Sequence, residues 1–212
     1  MIKYIKLIEC KQHDIKCTIL ERQNTTMYSH NIEKLNEHII TTVYEGLLKL
    51  GTSGDEDYSI YYDLDLINYL IGTAFASNEE CYDLLHDLYN NSNHSSPISL
   101  KLNISLSLQK GRFCFTVPAT SMDYVRSQGE KNGFLFELIE LVKSHTFTLD
   151  DVKKIFSRYS NSYVCEETNH PEFQYVLYFK DKEINHYMYC FTFDGCGGYY
   201  HRLLDYDYKK LI

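Results

Sequence analysis

The apolar positions in the first half of the chain follow a helical period. They recur at steps of three and four over about 30–50, and again over about 64–72 and 78–90. Asp63 and Ser77 stand directly before the second and third of these segments, where short polar side chains cap helices. The pattern therefore predicts three consecutive helices.

A different period follows the third helix. Apolar and polar residues alternate over 98–108 and, after turn residues at 109–111, alternate again over 113–117. This alternation predicts a β-hairpin with one buried face. With a short strand at 59–62, the order of elements is that of a winged helix, which we predict for residues 29–118.

The second half of the chain pairs two helices with a run of strands. Residues 134–145 have one apolar face, and a capping box from Thr148 to Asp151 predicts a shorter helix after them. Four strand-like segments follow, and the last three have the spacing of an antiparallel meander. The predicted class is therefore α+β.

The sequence divides into three predicted parts. Residues 1–28 form an N-terminal extension in which IKYIKLIE fits both a strand and a helix, with the strand favoured. Residues 29–118 form the winged-helix-like subdomain. Residues 119–212 form a C-terminal α+β subdomain of two helices and a β-meander.

Composition places the protein among compact globular chains. Gly and Pro number 10 and 3 of 212 residues, whereas Tyr and Phe number 20 and 11, which excludes disordered and low-complexity classes. The seven cysteines are an odd number without framework spacing, which predicts free thiols in a reducing compartment. Because Lys3, Lys6 and Glu9 interrupt the start of the chain and no apolar run is long enough for a membrane span, we predict a cytoplasmic protein with no membrane partner.

Charge argues against nucleic acid as the partner. The chain carries 21 Lys and Arg against 29 Asp and Glu, a formal net charge of −8. The third helix, which would read DNA in a winged helix, begins with Asn78, Glu79 and Glu80, and only the hairpin tip with Lys110 and Arg112 is basic. A scaffold used for protein contacts fits this charge better than a DNA reader does.

One candidate metal site lies in the last two strands. His186, Cys190, Cys196 and His201 are residue types that bind zinc, but their spacing is looser than the close pairs of zinc sites. His201 lies on the same face of the sheet as His186 and Cys190 only if the last two strands pair in a suitable register, for example with Thr192 opposite His201. A shift of one residue would place His201 on the other face. Half-buried strand cysteines and a hydrogen-bonded histidine explain these residues more simply, so no metal is predicted.

A polar cluster of Glu166, Glu167, Glu172, His201 and Arg202 is the catalytic candidate. A carboxylate beside His201 would orient the imidazole for general acid–base catalysis, whereas carboxylates near an arginine in adjacent strands also form cross-strand ion pairs. The sequence carries no nucleophile elbow, phosphate-binding loop, metalloprotease motif or dinucleotide fingerprint, so no cofactor is predicted.

Several segments together resemble a bacterial family known only as a domain of unknown function. The resemblance covers about residues 30–208. It implies that His201 and Arg202 belong to a shared motif, and it implies no activity, cofactor or partner. The segments that carry it are SIYYDLDLINYLIGT (59–73), RFCFTVP (112–118), DYV (123–125), FLFELIELVKSHTFTLDDVKKIF (134–156), EFQYVLYF (172–179), YMYCF (187–191), YYHR (199–202) and the closing DYDY (205–208).

We favour a non-enzymatic protein-interaction or accessory module with an unidentified protein partner. This function predicts an exposed aromatic or apolar patch of roughly a few hundred Å² or more and no deep polar pocket. A small enzyme is the first alternative, and it predicts a concave site where His201 lies within hydrogen-bond reach of one of the three glutamates. A transcription regulator that binds DNA weakly through the hairpin tip is the second, and it predicts a basic stripe that joins the tip to Lys153 and Lys154.

Overall fold

The computed structural model describes residues 32–90, 97–144, 146–182, 185–195 and 197–211. The chain is α+β, as predicted, and it divides into two compact units. Among the described residues, unit 1 holds 32–43 and 53–126, and unit 2 holds 44–52 and 127–211. The strand predicted within 1–28 lies outside the described residues. The division at residue 118 and the winged-helix assignment remain predictions.

Unit 1 combines helices with a three-stranded antiparallel sheet. Its elements are most of α1 (residues 32–50), β1 (Tyr58–Tyr62), α2 (Leu64–Ile71), α3 (Asn78–Asn90), α4 (Pro97–Leu102), β2 (Ser105–Gln109), β3 (Arg112–Val117), a 3-10 turn (Ala119–Ser121) and most of α5 (Met122–Gly129). The strand order is β1-β3-β2. The predicted hairpin of β2 and β3 is confirmed, with Gln109 opposite Arg112.

Local side-chain signals set the helix boundaries of unit 1. The Asp63 carboxylate accepts a hydrogen bond from the Leu66 backbone N–H at 2.8 Å, and Gly72 ends α2 with a φ of 67°. The Ser77 hydroxyl accepts a hydrogen bond from the Glu80 backbone N–H at 3.2 Å at the start of α3. These boundaries match those predicted.

The strand predicted from residue 98 is wrong in its first half. Residues Pro97–Leu102 form α4, and β2 begins only at Ser105. Ser99 is buried and its hydroxyl accepts a hydrogen bond from the Asn36 amide at 2.7 Å, while Leu100 is exposed. The alternating pattern assigns these two residues to the opposite environments, so tertiary packing overrides it here.

Unit 2 contains a four-stranded antiparallel sheet. Its elements after α5 are α6 (Gly133–Lys143), α7 (Leu149–Tyr159), β4 (Tyr163–Glu167), β5 (Tyr175–Phe179), β6 (Tyr187–Phe193), β7 (Gly198–Leu204) and α8 (Asp205–Leu211). The strand order β4-β5-β6-β7 confirms the predicted meander and extends it to a fourth strand. The capping box of α7 is also confirmed, whereas α8 is not anticipated by the sequence pattern.

Different elements cover the two faces of this sheet. On one face, Phe134 of α6 and Phe156 of α7 contact Phe179 of β5, with ring centroids 5.0 and 4.9 Å away. On the other face, Tyr208 of α8 packs against a buried cluster of Phe173, Val176, Met188 and Cys190. The α6–α7 pair is therefore anchored to the sheet by aromatic packing.

Candidate functional site

An open groove with a volume of about 710 Å³ lies between α6 and α7. Its apolar lining residues are Phe136, Leu141 and Ile155. Ile155 is buried, whereas Phe136 is 44% exposed because it falls outside the buried stripe of α6, which contains Leu135 and Leu138. An exposed aromatic ring beside further apolar groups is an arrangement that interaction sites use.

Charged side chains that pair with one another form the rim of the groove. Arg158 Nη2 lies 2.8 Å from Glu137 Oε2, which joins α7 to α6, and the Tyr159 hydroxyl donates to Glu137 Oε1 at 2.9 Å. Lys154 donates to Asp151 Oδ1 at 2.8 Å. The hydrogen bonds from Lys154 and from the Thr148 cap hold the pKa of Asp151 at about 2.

The sheet places the predicted acid–base residues apart. Glu166 lies opposite Val176, Val176 opposite Cys190, and Cys190 opposite His201. Three interstrand spacings therefore separate Glu166 from His201, about 14 Å between their backbones. His201 is exposed, and its ring meets the Tyr199 ring edge-on at 5.7 Å.

Glu167 and Glu172 are also exposed. Glu172 lies in the turn before β5, where its backbone N–H donates to His170 Nδ1 at 3.2 Å and its carbonyl accepts from the Thr192 hydroxyl at 2.5 Å. In the described part of the chain, no hydrogen bond or ion pair joins His201 to Glu166, Glu167 or Glu172.

Arg202 points to the opposite face of β7 from His201, and its side chain is only 5% exposed. Its Nε donates to Glu45 Oε2 at 2.5 Å, the Tyr200 hydroxyl donates to Glu45 Oε1 at 2.7 Å, and Lys49 Nζ lies 2.8 Å from the same Oε1. Burial acts to raise the pKa of Glu45, but the charges and hydrogen bonds of Arg202 and Lys49 hold it at about 2. The cluster keeps Glu45 ionised and ties the end of α1 to β7, which is a structural role.

A related cluster of buried phenols surrounds the same arginine. The guanidinium of Arg202 lies 4.1 Å from the centre of the Tyr187 ring, and the Asn185 amide donates to the Tyr189 hydroxyl at 3.0 Å. Burial raises the pKa of Tyr189 and of Tyr200 above that of an ordinary phenol. Both phenols therefore stay protonated at neutral pH and act as hydrogen-bonding groups.

The zinc-type residues are only partly brought together. Cys190 and His201 lie directly opposite each other and on the same face of the sheet, as a shared metal site would require. Burial raises the pKa of Cys190 to about 12, so its thiol is protonated, and the ring of His186 instead contacts Tyr187 at 4.2 Å. Cys196 lies outside the described residues, and among the described ones no group of three or more such side chains is placed to hold a metal ion.

Three of the four basic residues of the predicted DNA contact, Arg112, Lys153 and Lys154, have partners close by. Arg112 Nη2 donates to the Tyr61 carbonyl at 2.9 Å beside Lys110 of the hairpin tip. Lys153 and Lys154 of α7 lie 3.9 and 2.8 Å from Asp150 and Asp151 on the same helix. Each of these two lysines therefore has its charge compensated within α7.

A second opening, with a volume of about 610 Å³, is lined by polar residues of the β4–β5 region: Glu167, Thr168, Asn169, Gln174 and Tyr175. The Gln174 side chain donates to the Phe193 carbonyl at 3.2 Å and accepts from the Phe193 N–H at 3.1 Å. The Gln174 side-chain amide therefore continues the hydrogen bonding of the sheet beyond the paired backbone of β5 and β6.

Two further findings concern the cysteines and the helices. Cys81, Cys114, Cys165 and Cys190 are free thiols. None of the helices in the described ranges combines the length and the apolar character that crossing a bilayer demands.

Comparison with known proteins gives one match, to a protein family. A family model described as "Domain of unknown function, E. rectale Gene description (DUF3877)" matches residues 32–212, a stretch that includes every element from α1 to α8. Comparisons with curated proteins and with solved structures found no match. The resemblance carried by RFCF, EFQYVLYF, YMYCF and YYHR is confirmed: the chain belongs to the DUF3877 family, a bacterial domain family of unknown function.

Proposed function

We propose that this protein is a non-enzymatic protein-interaction module of the cytoplasm and that the α6–α7 groove is its docking face. The observation that carries the proposal is the 44% exposure of Phe136 beside Leu141 in an open groove. Burial of a phenylalanine side chain against a partner contributes roughly 1.5–3 kcal/mol. Phe136 is thus the natural anchor residue of such a contact.

The packing of α6 and α7 against the sheet supports a docking face that is ordered before a partner binds. Phe134 and Phe156 pack against each other and against the sheet, and the Thr148–Asp151 capping box fixes the start of α7. A face that is ordered before binding loses less entropy when a partner docks. Two packed helices with an apolar groove between them also have the shape that receives a third helix.

The arrangement of unit 1 supports a protein partner over DNA on a winged-helix-like scaffold. The order helix, strand, helices and hairpin, with sheet order β1-β3-β2, agrees with that scaffold. The first turn of α3 carries Glu79 and Glu80, which would repel a phosphate backbone. The free thiols of the described cysteines are in keeping with a reducing compartment.

Site-specific photocrosslinking tests the proposal. A photoreactive phenylalanine analogue is placed at position 136 of the full chain, and the cells that naturally make the protein are irradiated. We expect a covalent adduct with a second protein, which mass spectrometry identifies. That protein, purified on its own, is expected to bind the Phe136→Asp variant at least about tenfold more weakly than it binds the native chain.

Tyr199 provides the matched control, because it is an aromatic residue of similar exposure, 48%, on β7. The analogue at position 199 is expected to give no such adduct. Absence of any protein adduct from position 136, or equal adducts from both positions, would refute the docking face.

A further inference from the structure

The two walls of the α6–α7 groove carry opposite charge. Glu137 and Glu140 line the groove from α6, whereas Lys154 and Arg158 line it from α7. Asp151 at the start of α7 is the exception, and it is held by Lys154 and the Thr148 cap. An acidic wall therefore faces a basic wall across Phe136, Leu141 and Ile155.

The charges of these walls are held in place by exposed ion pairs. Arg158 and Glu137, which pair with each other, have side chains that are 61% and 36% exposed. Lys154 pairs with Asp151 and is 73% exposed, and Glu140 pairs with Lys143 and is 48% exposed. Exposed pairs contribute little to stability, so each partner can exchange for an equivalent charge at small cost. The charged side chains of both walls can therefore pair with charges from a docked partner that are arranged in the same way.

We propose that the occupant of the groove is a second copy of this chain, docked about a two-fold axis so that α6 of each copy lies over α7 of the other. This proposal rests on the proposed function and identifies the partner of the same face. Under a two-fold axis, the acidic wall of each copy meets the basic wall of the other, as an isologous interface requires. Phe136 of each copy enters the groove of the other, and the four helices form a bundle.

Charge complementarity selects this occupant. A polyanion is attracted by the α7 wall and repelled by Glu137 and Glu140, and a basic peptide meets the reverse. A second copy satisfies both walls at once. It also buries the Phe136 ring.

Sedimentation equilibrium of the full chain over about 1 to 100 µM tests the proposal. We expect a mass approaching twice the 25.0 kDa of the monomer. Phe136→Asp is expected to weaken dimerisation at least tenfold without changing the circular dichroism spectrum, while Tyr199→Asp, the matched exposed-aromatic control, leaves it unchanged. A monomer throughout the range, or a Phe136→Asp dimer of undiminished stability, overturns the proposal.

A charge exchange tests the orientation of the two copies. Glu140→Lys and Lys154→Glu each place like charges opposite one another and are expected to weaken the dimer about fivefold, whereas the double variant restores the attraction and recovers dimerisation. Failure of the double variant to recover refutes the two-fold arrangement. A monomeric protein that still gives a Phe136 adduct with a different protein refutes the second copy alone, whereas the absence of every adduct refutes the docking face itself.

Discussion

Two arginine–carboxylate pairs in unit 2 share their chemistry and differ in burial. Arg202 and Glu45 lie 2.5 Å apart with side chains 5% and 10% exposed, whereas Arg158 and Glu137 lie 2.8 Å apart with side chains 61% and 36% exposed. When an exposed pair breaks, water replaces the lost partner, but a buried charge has no such replacement. Loss of one partner of the buried pair is therefore expected to destabilise the fold, whereas the members of the exposed pair can change partners at small cost.

Removal of one buried charge is expected to have the largest effect. Arg202→Met removes the guanidinium from the buried Glu45 carboxylate and leaves Lys49 and Tyr200 as its partners. Because Lys49 still compensates part of the charge, the free energy of unfolding is expected to fall by about 3 kcal/mol, the lower end of the range for a broken buried pair. Urea denaturation followed by circular dichroism measures the change. The Glu45→Met/Arg202→Met double variant is the control and is expected to recover most of the loss. A loss below about 1 kcal/mol in the single variant would show that the buried pair matters no more to stability than an exposed one.

Acid provides the second test of the buried pair. The pKa of Glu45 is about 2 in the folded protein, against 4.5 ordinarily, so its contribution to stability is complete above pH 4.5 and disappears as the pH falls towards 2. This contribution amounts to about 3 kcal/mol. Urea midpoints measured across this pH range are expected to fall more steeply for the native protein than for the double variant. Parallel acid curves would assign the loss to other carboxylates.

The cap of α7 is expected to have an intermediate effect. The Thr148 hydroxyl accepts a hydrogen bond from the Asp151 N–H at 3.3 Å and donates to its carboxylate at 2.8 Å, both at an exposed site. Thr148→Ala is expected to cost about 1 kcal/mol of unfolding free energy, and Thr148→Ser much less because it keeps the hydroxyl. Thermal unfolding compares the two variants, and equal losses would contradict a capping role.

The smallest effect is expected for the exposed arginine. Arg158→Ala is expected to lower the free energy of unfolding by less than about 1 kcal/mol, and added salt is expected to reduce the difference further. Urea denaturation at low protein concentration, with and without salt, measures both effects. A loss as large as that of Arg202→Met would show that burial does not separate the two pairs.

The sequence predicted those parts of the fold whose cause is local. Asp63, Ser77 and Thr148 each accept a hydrogen bond from a backbone N–H three residues later, so the information needed to start the helix is contained within one turn. The strands of unit 2 were likewise predicted from their own alternation. Helix α4 was missed because its environment is set by Asn36, which lies 63 residues before Ser99.

The same distinction applies to the site. Glu45 and Arg202 are 157 residues apart, so no spacing pattern links them, and local spacing instead groups Arg202 with Glu166, Glu167 and Glu172. Phe136 carries a local signal, since it is a large apolar residue off the buried stripe of α6. The groove has no pattern of its own in the sequence, because it forms only when both α6 and α7 are in place.

The thiols of Cys81 and Cys190 have a consequence for chemistry in oxidising conditions. Burial raises the pKa of both to about 12. At neutral pH only about one molecule in 10⁵ carries the thiolate at either position, and the thiolate is the form that peroxide and alkylating reagents attack. These two sulfurs are therefore expected to remain unmodified in the folded protein, and their labelling by iodoacetamide would report unfolding.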